Sequence, residues 1–152
     1  MKKNVVLEEL LRSKMGRMLA IDPGATTGFA LFDQQEPIRS HSWEKTCTHD
    51  ELVQELVDAW PNIIVCESFV HTHKTGIDYT PVEYIGLIKW FASRRDVIYI
   101  EQTPSYGKGF FDNDKLKKLG VYVAGLPHSM DALRHLYQFM TKHGLFDLRL
   151  LK

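Results

Sequence analysis

Three acidic residues and one histidine of this sequence have the types and spacing of a divalent-cation site. Asp22 follows the apolar run MLAI and Glu67 follows the apolar run IIVC, so each acid stands at the end of a short apolar segment. His128 and Asp131 are three positions apart, which places both side chains on one face of a helix. Carboxylate oxygens are the ligands that Mg²⁺ and Mn²⁺ prefer, so the chemistry to be considered is metal-assisted catalysis.

Each of these residues also has an ordinary structural interpretation. Asp22 precedes a proline and a glycine, and an Asp at that position commonly caps a turn. His128 and Asp131 stand at the start of a predicted helix, where an acidic side chain complements the helix dipole. For one residue at a time these interpretations are at least as good as a metal site. The metal site is favoured only when the four residues are considered together.

The residues around Asp22 predict a strand, a turn and a second strand. The run before Asp22 is too short for a helix and is closed by Pro23 and Gly24, which indicates a strand buried on both faces. Gly24 is expected to turn the chain with a positive φ. Gly28 begins the next strand and leaves room for a bulky group to approach the backbone.

The remaining elements follow in the order β-β-β-α-β-α-β-α, with one small extra helix before the last. The predicted strands are residues 18–21, 29–32, 37–45, 62–69 and 96–102, and the predicted helices are 48–60, 80–93, 113–120 and 127–144. Capping boxes are expected at Thr48 with Glu51 and at Thr80 with Glu83, and Pro81 stands at a first helical position. A further short amphipathic helix is expected near the N-terminus.

Length and composition predict one compact domain in a reducing environment. The chain has 152 residues, 44% of them hydrophobic, and a formal net charge of zero. Neutrality excludes a global basic field, so any binding of nucleic acid must depend on a local patch or on metal ions. Cys47 and Cys66 fit neither a disulfide framework nor a zinc spacing. No secretory or membrane-spanning segment is expected, which favours a cytoplasmic protein.

The order of elements resembles the ribonuclease H-like fold. That fold is α/β, with a five-stranded mixed sheet whose first three strands are antiparallel and which helices flank. Its first and fourth strands are neighbours, so the resemblance implies that Asp22 and Glu67 lie side by side. Two adjacent carboxylates repel each other, and such a pair is tolerated mainly when a cation lies between them.

Three segments resemble the signature stretches of RuvC-type Holliday junction resolvases, and most closely the compact members that bacteriophages encode. They are IDPGATTGFALFD, IIVCESF and PHSMDALRH, and the likeness spans residues 18–143. It implies catalytic and metal-ligand roles for Asp22, Glu67, His128 and Asp131, with two Mg²⁺ or Mn²⁺ ions hydrolysing a phosphodiester. Many relatives have Asp at the position of His128, which here either ligates metal or handles the proton of the attacking water. We accordingly assign residues 18–152 to a nuclease domain and residues 1–17 to an N-terminal extension.

Two segments are candidates for contact with DNA. Four lysines lie between the fifth predicted strand and the last predicted helix, namely Lys108, Lys115, Lys117 and Lys118. The resemblance places Lys108 and Lys115 near backbone-contacting positions, whereas Lys117 and Lys118 also fit a solvated helix face. Lysines suit phosphate contact because they supply charge without reading base sequence. The loop after Glu67 supplies Phe69, His71 and Lys74, with Tyr79 a second aromatic for stacking on bases.

The resemblance implies a homodimer that resolves four-way DNA junctions, with no membrane partner. A four-way junction is two-fold symmetric, so a symmetric dimer places one site on each of two opposed strands. The interface is expected on the helix 80–93, through Tyr84, Ile85, Ile88 and Trp90. The alternatives are a RuvC-like nuclease for flaps, forks or an RNA precursor, and, less favoured, a nucleotide-phosphate-binding module similar to actin-like ATPases. The expected location is the cytoplasm of a bacterium or of a bacteriophage-infected cell.

Overall fold

The computed structural model describes residues 5–36, 40–71 and 75–151, and a five-stranded mixed sheet is its centre. The strands lie in the order β3-β2-β1-β4-β5. Their bounds are β1 Arg17–Asp22, β2 Thr27–Asp33, β3 His41–Lys45, β4 Ile63–Glu67 and β5 Ile98–Gln102. β1, β2 and β3 are antiparallel, whereas β4 and β5 run parallel to β1. The predicted fold class and the pairing of the first and fourth strands are confirmed.

Helices cover both faces of this sheet. The helices are α1 Val5–Ser13, α2 His49–Ala59, α3 Thr80–Arg94, α4 Pro104–Gly107, α5 Asn113–Lys118 and α6 Pro127–Lys142, with a 3-10 helix at Leu148–Leu151. Met18 and Ala20 of β1 pack on the side of α1, α5 and α6, whereas Leu19 and Ile21 pack on the side of α2 and α3. All four side chains are fully buried, as a central strand with two covered faces requires.

The predicted elements form, with three local differences. The capping box of Thr48 and Glu51 begins α2 as expected, but Tyr79 is the N-cap of α3 and makes no side-chain capping bond, so the second predicted capping box is wrong. Glu83 of that expected box instead contacts His49 across the helix pair, at 3.0 Å. The short helix α4 and the 3-10 helix were not expected from the sequence. Part of the predicted third strand, residues 37–39, lies outside the described residues.

The turn after β1 does not use a left-handed glycine. Gly24 is not among the glycines with a positive φ, so that expectation is wrong. The turn is closed instead by Thr27, whose hydroxyl donates to the Gly24 carbonyl at 2.9 Å. Gly28 does have the predicted role, because an added Cβ there would lie 2.0 Å from the His128 carbonyl oxygen. The bulky group that approaches the backbone is therefore α6 itself.

The apolar residues expected to form a dimer interface on α3 lie mostly in the core. Tyr84, Ile85 and Ile88 are buried between α3, α2 and the sheet, so their assignment to an interface is wrong. They serve the core because α3 packs against both α2 and the sheet, which takes more than a narrow apolar stripe. Trp90 remains exposed at 52%.

The N-terminal helix and both cysteines belong to the packed structure. Leu11 of α1 is fully buried against the α6 side of the sheet, and β1 begins at Arg17. Cys47 and Cys66 are buried and free, and burial raises the pKa of the Cys66 thiol to about 12. Over the described ranges, no helix combines the length and the apolar character needed to cross a membrane.

We expect Gly28→Ala to lower the free energy of unfolding by about 3 kcal/mol, because the added methyl would meet backbone atoms of α6 that have no free rotation. Urea unfolding followed by circular dichroism measures this. Gly86→Ala is the matched control, because Gly86 is an exposed α3 residue with nothing near its added Cβ. It should raise the stability by roughly 0.5–1 kcal/mol through helix propensity alone. Equal effects of the two substitutions would contradict the close approach of α6.

Candidate active site

Two strand ends and the start of one helix bring the predicted site residues together. Parallel pairing of β1 and β4 aligns Ile21 with Cys66, so the next residues, Asp22 and Glu67, end their strands at the same edge of the sheet. Helix α6 begins beside β2 and presents His128 to Asp22. This is the carboxyl edge of the parallel strands, where α/β sheets commonly bind ligands.

Asp22 is the most strongly perturbed carboxyl group of the site. Its residue is only 9% exposed. Burial is the largest cause that raises its pKa, from 3.8 to about 6, and the negative charge of Glu67 is the second. The hydrogen bond and charge of His128 act in the opposite direction, and Asp131 adds a small further increase. The site therefore holds more negative charge than its own groups neutralise.

His128 is bound to Asp22 through one ring nitrogen. The Nδ1 atom lies 3.0 Å from Oδ2 of Asp22, and the histidine side chain is 45% exposed. An ionised carboxylate only accepts hydrogen bonds, so Nδ1 carries the proton when Asp22 is charged. In the neutral ring the lone pair is then on Nε2. This nitrogen is available to bind a cation or to accept a proton.

Glu67 is bound to a histidine that the sequence analysis did not select. His135 of α6 places Nε2 2.7 Å from Oε2 of Glu67, and its Nδ1 lies 2.7 Å from Oε1 of Gln102. His135 is 1% exposed and Gln102 is 7% exposed. A signal for it existed, because His135 is four residues after Asp131 and seven after His128, which is the spacing of one helix face.

Asp131 is held by a guanidinium group on its own helix. Arg134 donates to Oδ1 of Asp131 and to the carbonyl of Phe111, the latter at 3.1 Å, and also bonds the side chain of Asn113. Lys108 approaches the other carboxylate oxygen of Asp131, at 4.0 Å. The i,i+3 spacing of Asp131 and Arg134 is visible in the sequence, although nothing in it distinguishes this pair from a surface ion pair.

Glu44 of β3 fixes the start of α6, and sequence reasoning also missed it. One of its carboxylate oxygens accepts from the backbone N–H groups of His128 at 3.0 Å and Ser129 at 3.2 Å. The first N–H groups of a helix have no partner inside the helix, and an acid there also complements the dipole. The N-cap residue Leu126 has no side-chain oxygen to do this. Glu44 therefore supplies the cap from a different element.

The candidate ligands suit a divalent cation in chemical type. Carboxylate oxygens with one imidazole form a hard donor set, and the pKa of Asp22 is raised by burial and by the neighbouring negative charge of Glu67. Across residues 5–36, 40–71 and 75–151, however, no three His, Cys, Asp or Glu side chains converge closely enough to hold one ion. Asp131 is instead paired with Arg134, and Glu67 uses one carboxylate oxygen, Oε2, for its bond to His135. The Asp131 side chain would have to rotate away from Arg134 before it could bind an ion.

The predicted DNA-contacting lysines differ in how they are engaged. Lys108 is exposed and lies beside Asp131. Lys115 donates to the carbonyl of Phe110 at 2.7 Å and lies over the ring of the same residue, so its ammonium group is held locally. Lys117 pairs with Asp114 at 3.6 Å on the exposed side of α5, and Lys118 is exposed. Lys108 is thus the lysine of this set that the structure places at the candidate site.

The loop after β4 lies next to Glu67. Phe69 is partly buried and its ring centre is 6.4 Å from that of Tyr79. A shallow pocket of about 390 Å³ adjoins them, lined by Pro23, Glu67, Ser68, Phe69, Val70, Pro81 and Pro104. His71 is exposed, whereas Lys74 lies outside the described residues. A second pocket, of about 530 Å³ around Trp60 and Arg95, opens at the opposite edge of the sheet and holds none of the predicted site residues.

Comparison of structures identifies the fold. The chain is similar to T. thermophilus RuvC in complex with Holliday junction substrate, with a TM-score of 0.64 and 17% identity over 86% of this chain and 97% of that one. It is also similar to the yeast mitochondrial Holliday junction resolvase Ydc2, with a TM-score of 0.55 and 14% identity over 91% and 86% of the two chains. For the fowlpox virus Holliday junction resolvase the TM-score is 0.51, with 13% identity over 86% and 99%.

These likenesses confirm that the chain has the ribonuclease H-like fold of RuvC-type resolvases, as its motifs indicated. The conclusion depends on structure, because neither a protein-family model nor a curated protein sequence matches the chain. At this level of identity the likeness shows the fold alone.

We expect the metal-free protein to titrate Asp22 with a pKa of about 6, well above the ordinary 3.8. Ionisation is disfavoured in the folded state, so the free energy of unfolding should fall as the pH rises from about 4 to about 6. Carboxyl ¹³C NMR in the presence of a chelator measures the pKa. In Glu67→Gln it should decrease, because one repelling charge is removed, yet remain above 3.8 because Asp22 stays buried.

Asp33 is the internal control for this titration. The backbone N–H of Gln35 and the guanidinium of Arg17 hold the pKa of its carboxyl below the ordinary value. The pKa of Asp33 should change neither on addition of the chelator nor in Glu67→Gln. An Asp22 pKa at or below its ordinary value in the chelated protein would contradict the described electrostatics.

Proposed function

We propose that this chain is a metal-dependent endonuclease that resolves four-way DNA junctions. The observation that carries the proposal is the placement of Asp22 and Glu67 at the carboxyl edge of β1 and β4, with His128 bonded to Asp22 and with Asp131 near enough to contribute to the raised pKa of Asp22. The fold supports it, since solved proteins with this fold include resolvases for Holliday junctions. Function is argued from the site, because one fold hosts many activities.

Asp22, Glu67, His128 and Asp131 are the residues that would hold two Mg²⁺ or Mn²⁺ ions. When bound, such a pair polarises the scissile phosphate, activates a water and stabilises the leaving oxygen. The buried Asp22 carboxylate is suited to this because a nearby cation would relieve its repulsion by Glu67. Asp131 has to leave Arg134 to take part, and Arg134 is then available to a phosphate oxygen.

His128 has a second possible role in the same site. Asp22 fixes the ring through Nδ1 and thereby keeps the basic lone pair on Nε2. A neutral imidazole in this orientation is suited to accept the proton of an attacking water. Ligand and base are alternative uses of the same nitrogen, and a given His128 side chain serves one of them at a time.

DNA contact is assigned to the surface around the site, because the net charge of zero provides no long-range attraction. Lys108 and Arg134 supply positive charge beside Asp131. Phe69 lines the same pocket as Glu67, and we assign it, with His71 and Lys74 of the following segment, to contact with bases or phosphates. Lys115, Lys117 and Lys118 extend the surface along α5, with Lys115 contributing least because it is bound to Phe110.

A homodimer would match the two-fold symmetry of the junction, with one site on each of two opposed strands. We place such a protein in the cytoplasm of a bacterium or of a bacteriophage-infected cell. Flaps, forks and an RNA precursor are the alternative substrates for the same chemistry. An ATPase-like role is not favoured, because that class requires two lobes and this chain has one sheet in its described residues.

We expect cleavage of a labelled four-way junction in Mg²⁺ or Mn²⁺, with paired symmetric nicks, and loss of at least about 100-fold in rate for Asp22→Asn. A flap, a fork and a linear duplex of matched sequence are the substrate controls. Asp33→Asn is the matched variant, because it changes a carboxylate paired with Arg17 at the far end of β2, away from the candidate site. Equal cutting of flaps or forks would favour the general branched-DNA nuclease. No cutting, with equal DNA binding by wild type and Asp22→Asn, would overturn the proposal.

We expect Lys108→Ala to weaken binding of the junction and to reduce the slope of log affinity against log salt by about 1, the change for one lost phosphate contact. Lys115→Ala should change that slope less, because its ammonium group is already bound within the chain. Fluorescence anisotropy over a salt series in Ca²⁺ measures both. A larger effect for Lys115→Ala would contradict the assignment of Lys108.

A further inference from the structure

We propose that His135 is a positioning residue of this site, holding the Glu67 carboxylate in the orientation that serves metal binding. The inference rests on the proposed function, since it assigns a role in the same site to a residue outside the four predicted ligands. His135 is fully enclosed, so it does not reach substrate, and it would act through Glu67.

Three elements meet at the His135 ring. The ring projects from α6, its Nε2 contacts Glu67 at the end of β4, and its Nδ1 contacts Gln102 at the end of β5. Both contacts are 2.7 Å long, and β4 and β5 pair Glu67 directly with Gln102. The ring therefore spans two neighbouring strand ends. A buried polar side chain with both polar atoms bonded has one orientation available to it.

The direction of the hydrogen bond to Glu67 follows from the acceptor. An ionised carboxylate has no proton to give, so Nε2 of His135 must donate. Gln102 is compatible with this in either amide orientation: its oxygen accepts from a protonated Nδ1, or its NH₂ group donates to an unprotonated Nδ1. In both arrangements the proton on Nε2 points at Glu67. The donor role thus does not depend on the charge of the ring.

The backbone beside the ring is shaped to admit it. A Cβ added at Gly107, the last residue of α4, would lie 3.0 Å from Nε2 and 3.1 Å from the adjacent ring carbons. The ring is thus seated against a glycine on one side and held by the two strand ends on the other. This packing restricts rotation of the imidazole, and through it the rotation of Glu67.

A carboxylate held in one orientation gives a metal site a higher affinity than a mobile carboxylate does. The bond from His135 engages Oε2 of Glu67 and so selects one rotamer of a side chain that otherwise has several. Residues that hydrogen-bond metal ligands orient them, and their loss typically costs 10–100-fold in metal affinity or activity.

The test compares His135→Leu with His135→Gln. Leucine keeps an apolar volume but has no donor, whereas the glutamine Nε2–H is placed to donate to Glu67 in the same direction. Mn²⁺ binding, followed by water proton relaxation without DNA, is the readout that does not depend on activity. We expect His135→Leu to weaken Mn²⁺ binding about 10-fold or more and His135→Gln to remain within about 3-fold of wild type. In junction cleavage by His135→Leu, kcat should fall and KM for DNA should change little.

Two controls separate a positioning role from general stability and from the proposed function. Tyr137→Phe removes another side-chain hydrogen bond of α6, the one between the buried Tyr137 and Ser40 at 2.9 Å, and should leave Mn²⁺ binding unchanged. The His135 Nε2 proton, observed by ¹⁵N NMR in metal-free wild type, reports the bond to Glu67 directly. Asp22→Asn defines the Mn²⁺ binding, measured by water proton relaxation, that remains when one proposed metal ligand is removed.

The outcomes are distinct. If His135→Leu loses Mn²⁺ affinity and His135→Gln retains it, the positioning role of His135 is supported. Unchanged affinity in both variants, while Asp22→Asn loses it, overturns the role of His135 and leaves the proposed function standing. An equal loss of Mn²⁺ affinity in His135→Leu, His135→Gln and Tyr137→Phe also overturns the role of His135, since reduced stability of α6 would then be the cause. Failure of the wild type to bind Mn²⁺ overturns the proposed function and, with it, this inference.

Discussion

Repulsion between carboxylates at one edge of the sheet is the constraint on which the arrangement of the site depends. Parallel pairing of β1 and β4 places Asp22 next to Glu67, and burial prevents water from screening the two charges. The pKa of Asp22 is raised to about 6, first by burial and second by the negative charge of Glu67. A chain that keeps these acids adjacent needs positive charge or hydrogen-bond donors beside them.

Helix α6 supplies most of those partners. His128, Arg134 and His135 each contact one of the acids, and all three project from this single helix. Its placement depends in turn on two residues of the first three strands. Gly28 allows the first turn of α6 to lie close to β2. Glu44 accepts hydrogen bonds from the N–H groups of that turn, which have no partner inside the helix. A change at either position would therefore alter the site without touching a ligand.

The sequence predicted those placements in the candidate site that depend on local patterns. Strand ends and an i,i+3 pair selected Asp22, Glu67 and the two α6 residues as candidates, because apolar runs and helical spacing are readable along the chain. Glu44 was not predictable, since its bond to α6 joins residues far apart in sequence. His135 could have been found by extending the helix face, but a buried histidine there is ordinarily a core residue. The expectation of a positive φ at Gly24 was wrong, because the Thr27 hydroxyl closes that turn instead.

The partners of the acids differ in what a bound cation would require of them. His135 donates to a single oxygen of Glu67, so that bond is compatible with a cation on the other oxygen. Arg134 is a full positive charge on Asp131, and it competes with a cation for the same carboxylate. The partners of the acids are thus of two kinds, a hydrogen-bond donor that can remain in place and a positive charge that must be displaced. Displacement frees a guanidinium beside the site, where the negative charge of a phosphodiester would be its next partner.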